Sequence, residues 1–274
     1  MYKMIAIDLD GTLLADDLTI STDTQAAIRK SMELGVIVTI ATGRMYPSAK
    51  RIALELGMDA PLITYQGALI RSATNSEILR ERFVPFEIAQ KLIHVAAEKS
   101  MHLQVYQNDT LYSAVENELV MAYAKEVGMP YTIEPDLLKL AKNGFMKMLF
   151  IDQPDALDLL QEELQAVLGD QACIEKSKLH YLEVTHPEAN KGSALRFLAE
   201  NLGIDGSQII GIGDNHNDTE LVKSAGFGVA MGNAVPALKA LADYTTLSNN
   251  EDGVLHVINT FVLEPQKALA TSER

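Results

Sequence analysis

The sequence predicts an α/β protein in which a parallel-sheet core domain is interrupted by an inserted α+β domain. Three observations carry that prediction. Toward both ends of the chain, short apolar runs alternate with amphipathic stretches of helical length, the rhythm of βαβ units. Between them, paired strand-like runs are joined by turns, the pattern of an antiparallel sheet. The chain has 274 residues, 47% hydrophobic and 22% charged, which is the size of one large or two ordinary domains and enough to bury a core.

The first strand is Met4-Ile5-Ala6-Ile7, an uninterrupted apolar run of the kind buried on both faces of a sheet. It ends in Asp8-Leu9-Asp10-Gly11-Thr12, and no Lys or Arg follows until Arg29. Two carboxylates at the end of a buried strand are costly unless a cation or hydrogen bonds compensate. Either the strand runs into an Asp-Gly hairpin turn, or the two carboxylates form a hard-metal site with one of them free to react. Residues 15–19 read as a small hairpin or flap. Thr22-Asp23-Thr24-Gln25 reads as a capping box, and its helix stops at Gly35. A second apolar strand over 36–41 ends in Thr42-Gly43-Arg44. Pro47 sits in the first turn of a helix ending near Gly57, and a third strand over 61–65 ends in Gln66-Gly67. This βαβαβ order predicts parallel strands with right-handed crossovers.

The rhythm changes near Phe83. Helices are predicted over 85–99, 116–127 and 155–168 and a strand over 145–151. Hairpins are predicted from 102–106 with 110–114 around Asn108-Asp109, and from 172–176 with 181–185. The order is αββαβαββ, with the helices on one face of an antiparallel sheet. From Asn190 the α/β rhythm returns. A helix over 191–201 closes at Gly203, and a strand over 208–212 ends in Gly213-Asp214-Asn215-His216-Asn217-Asp218. A helix over 219–224, a strand over 228–231 ending in Gly232-Asn233, and helices over 234–241 and 253–261 follow. The tail from Glu264 reads as frayed. The division is a Rossmann-like parallel-sheet core of residues 1–83 and 188–274, with residues 84–187 inserted.

The formal net charge of -14 argues against nucleic acid or an anionic membrane as a partner, and it obliges an anionic substrate to be drawn in by a local cation. No obligatory protein partner is evident. Cys173 is the single cysteine, read as a buried small hydrophobe, and no intramolecular disulfide can form. No signal peptide or transmembrane run is expected, and a cytoplasmic location fits. Gly211-Ile212-Gly213 lacks the third glycine of a dinucleotide fingerprint, and no P-loop occurs. The loop from Asp214 to Asp218 lacks the EF-hand pattern, and the six histidines show no zinc spacing. His216, inside the acidic loop, is the one histidine to watch.

Four strands of the α/β part end in polar or glycine-rich sequence, and in an open parallel sheet such ends converge where ligands bind. Together they supply carboxylates for a hard cation, a hydroxyl and backbone N–H groups for phosphate oxygens, and glycines for close approach. Asp8 and Asp214, with Asp218 as a third, suit Mg²⁺, which takes one or two carboxylates with water and phosphate. Lys191 is the candidate cation. At a helix N-terminus it opposes the helix dipole, so it is either a solvated lysine or part of a phosphate site.

Taken together, these segments resemble the haloacid dehalogenase (HAD) superfamily, specifically its Cof-type phosphatases with a type IIB cap. The resemblance spans nearly the whole chain. Asp8-Leu9-Asp10-Gly11-Thr12 matches the first motif, Thr42 in Ala41-Thr42-Gly43-Arg44 the second, Lys191 in Asn190-Lys191-Gly192 the third, and Gly213-Asp214-Asn215-His216-Asn217-Asp218 the fourth. It implies that Asp8 is the nucleophile and Asp10 the general acid/base. It implies that Thr42, Gly43 and Lys191 hold the phosphoryl group, with Asn217 close by. Asp8, the Asp10 carbonyl and Asp214 would bind Mg²⁺, with Asp218 supporting, and the inserted domain would be the cap.

The expected activity is Mg²⁺-dependent hydrolysis of a small phosphate monoester, such as a sugar phosphate or a phosphorylated cofactor or precursor, through an aspartyl phosphate. A sugar phosphomutase and a non-catalytic phospho-ligand sensor are the alternatives, and a sensor has no need of a general acid. Substrate choice falls to the cap. Lys147 alternates with Met146 and Met148, which read as core, and shares a face with Phe145 and Leu149. It either touches the leaving group or is solvated, and Tyr181 and Glu183 pose the same question.

Overall fold

A computed structural model describes residues 1–265. The chain opens with β1 (Met4–Ile7), α1 (Thr22–Glu33), β2 (Ile37–Ile40), α2 (Tyr46–Leu56) and β3 (Pro61–Thr64), followed by β4 (Leu69–Ser72) and β5 (Ile78–Glu81). The middle comprises α3 (Phe86–Lys99), β6 (His102–Gln107), β7 (Thr110–Ser113), α4 (Glu118–Val127), β8 (Tyr131–Ile133), α5 (Leu137–Ala141), β9 (Lys147–Ile151), α6 (Pro154–Leu168), β10 (Cys173–Lys178) and β11 (Tyr181–Thr185). It closes with α7 (Lys191–Asn201), β12 (Ile209–Gly213), α8 (Thr219–Ser224), β13 (Phe227–Ala230), α9 (Pro236–Lys239), β14 (Tyr244–Thr245) and α10 (Gly253–Ile258).

The core sheet has the order β14-β13-β12-β1-β2, with every pair parallel. Met4 and Ala6 of β1 pack with Ala194, Leu195 and Leu198 of α7, whereas Ile5 and Ile7 join the cluster containing Ile28 of α1 and Val257 of α10. Helices therefore cover both faces, which is why the strand is apolar at every position. The α1 cap is Ser21, one residue before the predicted box, because its side chain accepts from the Thr24 N–H while Gln25 bonds back to Ile20.

The third predicted parallel strand is only partly so. A single parallel bridge, Ala41 to Ile63, ties β3 to the core sheet, and β3 then leads a small antiparallel sheet, β3-β4-β5. The strands β4, β5 and β14 span two to four residues, too few for a period to show.

The middle sheet has the order β10-β11-β9-β6-β7-β8 and is antiparallel except where β8 runs parallel to β7. The element order is thus αββαβαβαββ. The additional β8 and α5 are three and five residues long, and β8 is mostly exposed, so neither leaves an apolar pattern. Helices α3, α5 and α6 cover one face, on Leu103, Val105, Met148, Phe150, Leu182 and Val184. Helix α4 lies instead on the other face, where Val120, Tyr123 and Val127 join the core domain's cluster. Phe145 also departs from its predicted side. The strand begins only at Lys147, and Phe145 packs with α3 and α6. Met146 and Met148 are both buried, as predicted. Cys173 is half-buried, and burial raises its thiol pKa. The predicted frayed tail falls mostly on residues 266–274, outside the described residues. Among the described residues no helix is long and apolar enough to cross a membrane.

Candidate active site

Asp8 follows β1 and Asp214 follows β12, and strand order reverses between these two neighbours. Both carboxylates therefore stand at the switch point of the sheet, where its strand ends leave a crevice. The Asp8 N–H donates to the Ile212 carbonyl at 3.0 Å, which ties its backbone to β12. Lys191 lies in the first turn of α7, whose N-cap Asn190 accepts from the Ser193 N–H. Its Nζ donates to Asp8 Oδ1 and Asp218 Oδ1, each at 2.6 Å, with Lys191 and Asp218 fully buried. Burial alone would lower the Lys191 pKa, but Asp218 and Asp8 outweigh it and raise it. The lysine is thus a fixed cation and not a solvated one.

Asp218 also shapes the loop around it. Its Oδ2 accepts from the N–H groups of Asp214 and Asn215, at 2.9 and 3.1 Å. Thr12 donates to Asp214 Oδ1 at 2.9 Å. Gly11 has a φ of +78°, and a Cβ there would fall 2.5 Å from Asp214 Oδ2, so the close approach of the two loops needs glycine. Burial, then Asp218, push Asp8 well above the usual carboxylate range against the pull of Lys191. Burial, then Asp218, likewise push Asp214 up to about 7. Asp8, Asp214 and Asp218 each offer an oxygen within 4.8 Å of the others. An all-oxygen set carrying excess negative charge fits a hard divalent cation such as Mg²⁺.

Asp10 behaves differently. Arg44 Nε and Nη2 donate to its two oxygens at 2.8 and 2.6 Å. Burial works to raise the Asp10 pKa, and this bidentate pair overcomes it and holds the carboxyl below its usual range. Thr42 and Gly43 are locked to the next strand end. The Thr42 and Arg44 carbonyls accept from the N–H groups of Gln66 and Tyr65, and Thr42 Oγ1 accepts from the Arg44 N–H. Asn217 donates to Gln66 Oε1 at 3.1 Å.

The face of the middle sheet that carries α4 looks onto these strand ends across a cavity of about 410 Å³ that Asp8, Asp10, Asp214, Lys147, Glu183 and Tyr181 help to line. Lys147 is buried there. Its Nζ donates to Glu183 at 3.0 Å and to the Gly43 carbonyl at 2.8 Å, which settles against solvation. Tyr181 donates to Glu126 at 2.6 Å, and Lys178 pairs with the same carboxylate.

Every candidate residue from the four motifs is gathered here except His216, whose side chain is exposed and lies off this cavity. Sequence reasoning assigned no role to Arg44 or Gln66, although both stand in the strand-end segments. Glu126 and Lys178, on a helix and a hairpin, gave no signal at all.

A family model for haloacid dehalogenase-like hydrolases matches residues 5–258. The chain belongs to this family, and within it to the capped phosphatases. A Bacillus subtilis relative named as a phosphatase, YxeH, is 31% identical over 96% of this chain and 99% of its own. An HMP-PP phosphatase of Serratia proteamaculans is 30% identical over 97% of each chain. Among solved structures, one from Thermotoga maritima is 35% identical, with a TM-score of 0.82 over 94% of this chain and 97% of its own. A HAD subclass IIB sugar phosphatase, 21% identical, shares the fold with a TM-score of 0.83 over 94% of this chain and 98% of its own.

Proposed function

We propose that this chain hydrolyses a small phosphate monoester in a Mg²⁺-dependent reaction with an aspartyl phosphate on Asp8, and that residues 84–187 are the cap over a core of residues 1–83 and 188–274. The carrying observation is Asp8 itself, a strand-end carboxylate facing an open cavity and fixed by a buried lysine at 2.6 Å. Asp8, the Asp10 carbonyl and Asp214, supported by Asp218, would hold Mg²⁺, which when bound masks the repulsion between carboxylate and phosphate. Asp8 attacks phosphorus and the alcohol leaves, so one difficult displacement becomes two easier ones. Lys191, the Thr42 hydroxyl and the Gly43 N–H hold the phosphoryl oxygens, and Asn217 stands beside them. Asp10 protonates the leaving oxygen and later takes a proton from the attacking water. Its pairing with Arg44 favours the ionised form, so a phosphate that draws Arg44 toward itself would ease Asp10 into the role of acid.

The relatives' names, HMP-PP phosphatase and sugar phosphatase, support a small phosphorylated metabolite, either a sugar phosphate or a phosphorylated cofactor or precursor. The single cysteine fits a cytoplasmic enzyme. The test is release of free phosphate from nitrophenyl phosphate and a panel of sugar phosphates, with mass spectrometry of the acid-quenched protein. Activity should vanish in EDTA, return with Mg²⁺, and fall on the order of 10⁴-fold or more in Asp8→Asn. Full turnover in EDTA, or by Asp8→Asn, would refute the reading, and an isomerised sugar without free phosphate would make the enzyme a mutase.

A further inference from the structure

Two consecutive residues after β3 occupy left-handed backbone, Tyr65 at φ +51° and Gln66 at φ +59°. Neither is glycine, and such strain persists only where the surroundings enforce it, often at functional sites. Both side chains reach across to the middle sheet. Tyr65 Oη donates to Asp109, in the turn of the β6–β7 hairpin, at 3.2 Å. Gln66, 1% exposed, uses both ends of its amide: Nε2 donates to Glu183 at 2.7 Å and Oε1 accepts from Asn217 at 3.1 Å. Glu183 in turn accepts from Lys147, and Lys147 donates to the Gly43 carbonyl. Gly43 leaves room for the amide, since a Cβ there would come 2.3 Å from Gln66 Nε2.

We infer that Gln66 is a positioning residue that couples the seating of the cap to the phosphate site. The inference rests on the reading of the site as a phosphatase. Gln66 is the joint between a carboxylate of β11 and an amide of the Asp214–Asp218 loop. With its backbone N–H on the Thr42 carbonyl, it closes a ring through Lys147, Glu183 and Gly43. Lifting β11 breaks the Gln66–Glu183 bond and leaves the Asn217 amide without its fixed orientation. Cap position and phosphate-site geometry therefore change together. The left-handed backbone follows from this role, because it turns the side chain toward β11 at the point where β3 ends.

The test reverses the polarity of one bond. Gln66→Glu sets a carboxylate against Glu183, and adding Glu183→Gln restores one donor and one acceptor across the same gap. In Gln66→Glu, kcat/KM on nitrophenyl phosphate should fall about tenfold to a hundredfold, the loss expected when a buried hydrogen bond to a charge is removed. Amide hydrogen exchange in the β10–β11 hairpin should rise with it. The double variant should recover both rate and protection to near the wild-type level. Wild-type rate and exchange in the single variant, or no recovery in the double, would overturn the inference. Should Gln66→Glu not fold, Gln66→Met removes both bonds at similar volume: faster exchange confined to the hairpin supports the coupling, and unchanged exchange refutes it. If the wild-type protein hydrolyses no phosphate ester with Mg²⁺, the functional reading fails, while the exchange arm still decides whether Gln66 seats the cap.

Discussion

The two walls of the cavity carry charge in opposite ways. On the core side four carboxylates, Asp8, Asp10, Asp214 and Asp218, meet two protein cations, Lys191 and Arg44. On the cap side Glu183 meets Lys147, and Glu126 meets Lys178. The cluster around Asp8 is short of two positive charges, Asp16 adds a further carboxylate to the core wall, and the cap wall is balanced. A divalent cation thus has a place at one wall and none at the other. The core wall suits a group whose charge changes during reaction. The cap wall suits the uncharged part of a substrate, because every ion on it already has a partner.

The largest way to break this comparison is to remove the carboxyl proposed to give up the proton on the core side. Asp10→Asn should slow hydrolysis of sugar phosphates about 10²–10⁴-fold. Nitrophenolate leaves without a proton, so with nitrophenyl phosphate the variant should give a burst, then a slow steady state with phosphate trapped on Asp8. Rapid-mix kinetics checks this, and equal losses on both substrates with no phosphoenzyme would show that Asp10 moves no proton.

The cap wall can be broken unevenly. Lys147 and Glu183 are both buried, whereas Lys178 and Glu126 are each more than a third exposed. Lys147→Met strands a buried carboxylate and should cost about 3–5 kcal/mol of stability by urea unfolding. Lys178→Met should cost about 0–1 kcal/mol, because water screens that pair. Similar midpoints for the two variants would mean that the burial contrast is not felt in solution.

The smallest expected effect sharpens the charge deficit itself. An unfolded Asp titrates at about 3.9, and in the folded, metal-free chain Asp214 is raised to about 7. Between these values the folded state holds a proton that the unfolded state has lost. This contribution is full at low pH and is lost as pH rises through 7. Metal binding needs the ionised form. The stabilisation on adding Mg²⁺, followed as the rise in Tm, should therefore be slight at about pH 5.5 and larger at about pH 7.5, where it approaches about 2.7 kcal/mol at a hundredfold excess over Kd. A rise of equal size at both values would put the metal elsewhere.

The core wall was legible in the sequence because its groups sit at strand ends beside the glycines that let them approach. Asp8, Thr42 and Asp214 each close an apolar run, so the strand that places them also announces them. Arg44 stood in the same motif, but its role depends on Asp10, 34 residues away, and a bidentate pair leaves no local trace. Gln66 reads in the sequence as a strand end and nothing more, since its meaning lies in Glu183, 117 residues on. The cap's sheet was readable from its hairpins. The side of the sheet taken by α4 was not, because its amphipathic face says that it packs and not against what.

The position of β1 between β2 and β12 has a consequence for how the molecule is made. Its partner β2 begins about 30 residues downstream, while β12 begins about 200 residues later, beyond the entire middle sheet. During synthesis one edge of this apolar strand stays unpaired while a sheet with its own apolar cluster emerges and packs. Asp8 meets Lys191 and Asp218 only when the final third of the chain arrives. The charge cluster is thus a late product of folding, and a truncated or stalled chain displays an open strand edge ending in an uncompensated carboxylate.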